Sequence, residues 1–125
     1  MIHLLVLLLL LRGNANASDF TIEEATINDV QSAFDKEKLT SRQLVEYYLD
    51  RIERLDSVLR GVIEVNPDAV HQAKRADHER QWIDGSRPSL HGIPVLLKDS
   101  IATADKLNTT GGSYAFLREW RRTTP

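Results

Sequence analysis

A chain of 125 residues, with 42% hydrophobic and 27% charged side chains, has the composition of a globular protein and the length of one domain. A formal net charge of -2 gives no electrostatic reason to expect nucleic acid or an anionic membrane as partner. The count of zero cysteines excludes disulfides, thiolate metal sites and a cysteine nucleophile.

The N-terminus opens Met1-Ile2-His3 and continues in an apolar run from Leu4 to Leu11, then Arg12-Gly13-Asn14 and Ala15-Asn16-Ala17. A short apolar run with an A-x-A site behind it has the form of a secretory signal peptide. It is shorter than the roughly 20 residues that span a bilayer. Residues 1–17 are expected to be cleaved after Ala17, leaving a secreted chain from Ser18 with no membrane segment. A buried terminal helix is the alternative reading.

Thr21-Ile22-Glu23-Glu24 has the spacing of a capping box, and Ile27, Val30 and Phe34 behind it recur on one helical face. The charge run Asp35-Lys36-Glu37-Lys38 reads as the solvated end of that helix. Thr40-Ser41-Arg42-Gln43 is a second capping box. Leu44, Val45, Tyr48, Leu49, Ile52 and Leu55 follow as a broad apolar stripe opposite Arg51, Glu53, Arg54 and Asp56. Val62-Ile63-Glu64-Val65 suits a short strand. Asn66-Pro67 then gives an N-cap and a first-turn proline to a third helix, whose face of Ala69, Val70, Ala73 and Ala76 should lie shallowly on its neighbours. After a loop at Asp84-Gly85-Ser86-Arg87-Pro88, the segment Gly92-Ile93-Pro94-Val95-Leu96-Leu97-Lys98-Asp99 looks like a strand buried on both faces. Pro94 confines that strand to a start near the proline or to a sheet edge. The order helix, helix, strand, helix, strand predicts a mixed α/β architecture.

Lys98 is the candidate catalytic residue. A lysine ending a buried apolar strand is disfavoured as the ammonium ion, and the neutral amine can serve as a general base. A strand-end lysine that snorkels to water is the alternative reading of the same residues.

Three segments in order resemble the amidase signature family. Leu39 to Glu46 followed by Tyr48-Leu49-Asp50-Arg51-Ile52 resembles its opening helix. Leu90-His91-Gly92-Ile93-Pro94-Val95-Leu96-Leu97-Lys98-Asp99 resembles the segment bearing its catalytic lysine, and Asn108-Thr109-Thr110-Gly111-Gly112-Ser113-Tyr114-Ala115 the stretch beyond. The resemblance covers about Thr26 to Leu117. It implies an α/β/α fold with a mixed sheet, of which residues 18–125 would supply the N-terminal helices and first strands. It also implies hydrolysis of small-molecule amides by a serine nucleophile, a second serine on a cis peptide bond and a lysine, the Ser-Lys variant of nucleophile-plus-base chemistry. No metal and no cofactor take part, and Lys98 would hold the base position.

The serine pair should lie in a glycine- and serine-rich stretch well downstream, and the residues after Lys98 form none. The tail from Arg118 to Pro125 departs from the family pattern. The sequence is therefore expected to be an N-terminal portion truncated before the serine pair and inactive alone; a non-catalytic isoform acting as a binding or regulatory module is the alternative. Ser113 lacks the second glycine of a nucleophile elbow. His71 and His78 lack a third ligand at metal-site spacing, and His91 acquires no role. Asn108-Thr109-Thr110 is a glycosylation acceptor that is expected to be packed in a full-length fold. Asn16-Ala17-Ser18, of the same form, straddles the cleavage site, and Trp82 and Trp120 read as core or interface residues.

Overall fold

The computed structural model describes residues 20–82, 87–113 and 115. The leader expected over residues 1–17, the Asn16 acceptor, Trp120 and the tail over 118–125 lie outside the described residues, as does most of the loop around Gly85.

Three helices form in the described residues: α1 (Ile27–Asp35), α2 (Ser41–Leu59) and α3 (Ala69–Trp82). The cap of α1 corrects the sequence expectation. Thr26, not Thr21, is the N-cap: its hydroxyl accepts from Asp29 N–H, while the Asp29 carboxylate accepts from Thr26 N–H at 3.0 Å. Glu24 instead takes a positive φ of 57° in a turn, and Ile22 is drawn in against the core. The second capping box forms as expected, with Gln43 N–H on the Thr40 hydroxyl and Thr40 N–H on Gln43 Oε1. Arg60, left-handed at φ 48°, ends α2, and Asp56 Oδ1 accepts from both Gly61 N–H and Val62 N–H. Asn66 leads into α3: its side-chain oxygen takes Asp68 N–H and its carbonyl takes Ala69 N–H.

The core is small. Val30, Ala33 and Phe34 of α1, Leu39 of the connection and Leu44 of α2 are buried together, with Phe20, Ile22, Ala25 and Ile93 packed against them. Ala73 and Ala76 of α3 are buried as well. Alanine's short side chain lets α3 approach α2 closely, as the small-residue face suggests.

The expected strands are not formed among the described residues, which are helical with irregular connections. Val62–Val65 and Gly92–Asp99 have strand-like residues, but a strand exists through a ladder of hydrogen bonds with a neighbour, and neither segment has one among the described residues. Nor is the second segment buried: Val95, Leu96 and Leu97 are 59%, 78% and 52% exposed. Apolar patterning reports a local preference, whereas pairing depends on distant chain.

Candidate active site

The approach to Lys98 is fixed from below by a polar network at the junction of α1, α2 and α3. The first N–H groups of a helix have no partner within it. At α2 the Asp77 carboxylate, on α3, accepts from Ser41 N–H at 2.7 Å and from Arg42 N–H at 3.0 Å, and the Thr40 hydroxyl takes Gln43 N–H. Burial pushes the Asp77 carboxyl up, but the N–H groups of Arg42 and Ser41, with the Arg80 guanidinium, outweigh it and hold the group below the ordinary carboxylate range.

Arg80 completes this junction. Its guanidinium meets Asp77 Oδ1 and the fully buried Ser41 hydroxyl, each at 2.8 Å, and lies 4.0 Å from the centre of the Phe34 ring. Gly92 passes directly over it. A Cβ at Gly92 would overlap Ser41 Oγ and come within 2.6 Å of Arg80 Nη2, and φ is +77°. Only glycine fits both demands.

The chain on either side is held by its backbone. Gln31 Nε2 donates to Ser89 O at 2.8 Å and His91 O at 3.1 Å. The His91 ring Nε2 lies 3.2 Å from Ala76 O and 3.8 Å from the Glu79 carboxylate. Arg87 pairs with Asp35 and donates to Arg80 O. Residues 87–93 are thus tied to α1 and α3, and Val95 to Lys98 project beyond the ties.

Lys98 itself is exposed, so the described residues do not supply the burial expected of it. Its carbonyl accepts from Ile101 N–H at 2.8 Å, opening a turn. The next residue, Asp99, accepts from Thr110 Oγ1 at 2.7 Å, Thr110 N–H at 3.2 Å and Gly112 N–H at 3.2 Å. These bonds, led by the Thr110 hydroxyl, hold the Asp99 carboxyl below its ordinary range. The structure therefore brings the lysine segment and the Thr110–Gly112 turn together, two of the three segments singled out in the sequence.

Ser113 is half-buried, its N–H on Thr110 O and its hydroxyl oxygen accepting from Ala115 N–H. Asn108 is exposed rather than packed, with its main-chain and side-chain N–H groups on the Glu64 carboxylate at 2.8 and 3.0 Å. His71 and His78 are exposed on α3, and His78 accepts from the exposed Trp82 indole at 3.3 Å. Among the described residues no group of three or more His, Asp or Glu is placed to hold a metal ion, and no helix is long and apolar enough to cross a membrane. Gln31, Asp77, Arg80 and Asp99 carry the site's geometry yet escape sequence reading. Their partners lie 11 to 60 residues away or on main-chain atoms, and charged residues on amphipathic helices read as solvated.

Comparison with known proteins gives a consistent result. The family model described as Amidase matches residues 43–123. A probable amidase of Arabidopsis thaliana is 57% identical over 102 residues, 81% of this chain and 20% of that protein. A putative amidase of Schizosaccharomyces pombe is 42% identical over 100 residues, 79% of this chain and 17% of its own. A putative amidase of Arthroderma benhamiae is 44% identical over 72 residues, 58% of this chain and 12% of its own. The chain thus spans a fifth or less of these relatives. No solved structure matches it significantly.

Proposed function

The chain belongs to the amidase family, and from that premise we propose that it supplies the lysine-bearing N-terminal part of a serine hydrolase that cleaves carbon–nitrogen bonds of small amides. The observation that carries this reading is the family match over residues 43–123, which brackets Lys98 and the turn that Asp99 draws in beside it. In the proposed step the nucleophilic serine hydroxyl attacks the amide carbonyl. Its proton passes through a bridging serine to the neutral Lys98 Nζ and returns to the departing amine. Both serines would come from chain beyond the glycine turn at Gly111-Gly112, because these 125 residues contain no glycine- and serine-rich stretch after Lys98. The same chain would convert Gly92–Asp99 into a strand of a mixed α/β/α sheet and bury Lys98. The exposed apolar side chains of Val95, Leu96 and Leu97 support that reading. The apolar run from Leu4 to Leu11 with Ala15-Asn16-Ala17 supports entry into the secretory pathway.

The test joins this chain to the downstream part of the Arabidopsis relative and measures steady-state amide hydrolysis. Lys98→Ala is expected to lower kcat by about a thousandfold or more, as when one member of a nucleophilic triad is removed. Lys98→Arg should fare no better, because a guanidinium does not deprotonate in this range. An arginine variant close to wild type would remove Lys98 from the mechanism.

A further inference from the structure

We propose that Asp99 is a positioning residue, whose carboxylate closes the loop from Asp99 to Gly112 on itself and so fixes the main chain from which Lys98 projects. The proposal rests on the reading of Lys98 as the base.

The loop leaves Lys98 through the turn that Ile101 N–H closes on Lys98 O. Its outer part is shaped by Asp105, which accepts from Thr103 Oγ1 at 2.8 Å and Leu107 N–H at 2.9 Å. Two contacts moor it to the helical body: Lys106 Nζ on the Asp68 carboxylate at 2.8 Å, and Asn108 on Glu64. Among the described residues the return is made at Asp99 alone. Its side chain takes Thr110 Oγ1, Thr110 N–H and Gly112 N–H, and its carbonyl takes Gly111 N–H at 3.3 Å.

The two glycines make this possible. Gly111 and Gly112 have φ of 57° and 82°, the left-handed conformation that aims nearby N–H groups at one anion. In this chain that anion is Asp99 itself. Hydrogen bonds to an ionised acceptor are about twice as strong as neutral ones, and here they converge on the residue next to the lysine. Lys98 Nζ has no hydrogen-bond partner among the described residues, so its place is set by its main chain. That main chain is held on one side by the ties at residues 87–93 and on the other by Asp99. Remove the second tie and the next anchor beyond Lys98 is Lys106 on Asp68, so the lysine sits on a longer and looser span.

Hydrogen exchange read by mass spectrometry on the 125-residue chain tests the closure without reference to activity. Asp99→Ala should speed exchange of the Thr110 and Gly112 amides by about tenfold, the effect of losing hydrogen bonds to a charged acceptor at a partly exposed site. Amides of α1, α2 and α3 should be unchanged, and Asp99→Asn, which keeps one acceptor oxygen, should fall between. The catalytic arm uses the joined enzyme. There Asp99→Ala should lower kcat about tenfold or more with KM within about twofold, the pattern of a displaced reacting group rather than lost substrate binding, and Asp99→Asn should recover part of it. Unchanged exchange at Thr110 and Gly112 overturns the proposal. Faster exchange with wild-type kcat, in an enzyme that Lys98→Ala inactivates, overturns the positioning role. If Lys98→Ala remains active, the reading of the lysine falls, while the exchange data still decide whether Asp99 closes the loop.

Discussion

Gly92 and Asp77 show how single residues carry this structure. A methyl group at Gly92 meets Ser41 Oγ and the Arg80 guanidinium in a backbone conformation that L residues avoid. Gly92→Ala should therefore cost about 2–4 kcal/mol by overpacking and strain, read as a lower urea midpoint. Asp77 makes stability depend on pH. Its folded-state carboxyl lies below its unfolded value of about 3.9, so its contribution is complete above that pH and is lost as pH falls through the lowered folded value. The urea midpoint should fall as pH drops below about 4. Asp77→Asn should lower the midpoint at neutral pH and flatten this dependence; an unchanged slope would remove Asp77 as a source. Some slope should remain, because Asp29 and Asp99 are also held low, chiefly by the Thr26 and Thr110 side chains. The family was legible in the sequence through the segments around Thr40, Lys98 and Gly111, which the family match over residues 43–123 spans in large part. Asp77 and Arg80 were not, since nothing local distinguishes an acid and a base spaced for a helix-surface pair from two that reach into another helix.

At the level of elements, local rules succeeded where the partner was local. Thr40 and Gln43 cap α2 as their spacing indicates. The three-residue spacing also favoured Thr21, but Ile22 packs into the core and Thr26 with Asp29 does the capping. An aspartate at the third position serves as well as the glutamate or glutamine of the usual pattern. Thr26→Ala and Thr40→Ala should each cost about 1 kcal/mol, while Thr21→Ala should stay within about 0.5 kcal/mol. Denaturant titration of the three variants checks the order, and a large loss at Thr21 would contradict the observed cap. The strand expectations failed for the opposite reason: Val62–Val65 and Gly92–Asp99 have the composition but lack a neighbouring ladder.

At the scale of the molecule, the three helices among the described residues leave much apolar surface in water. Val58, Leu59 and Ile63 are 82%, 70% and 86% exposed, in addition to Val95, Leu96 and Leu97. Contiguous exposed apolar surface and unpaired extended backbone promote association. The chain from Ser18 should bind a hydrophobic dye and self-associate in a concentration-dependent way, and Leu96→Lys should reduce both. A monomer with a sharp cooperative melt would show instead that the described residues form an autonomous domain. The fold is therefore legible to the extent that it is helical. The sheet expected from the same residues is not formed among the described residues.

The ties that Gln31 makes to Ser89 O and His91 O have a consequence for how this region tolerates change. Both acceptors are carbonyls, present whatever side chains stand at those positions. Saturation mutagenesis scored by protein abundance should find Ser89 permissive and Gln31 restrictive, because the residue there must be long enough to span the gap and must donate to both carbonyls. Substitution freedom would then follow who donates rather than distance from Lys98, and a drifting lineage could rewrite the surface of this loop while its path stays fixed.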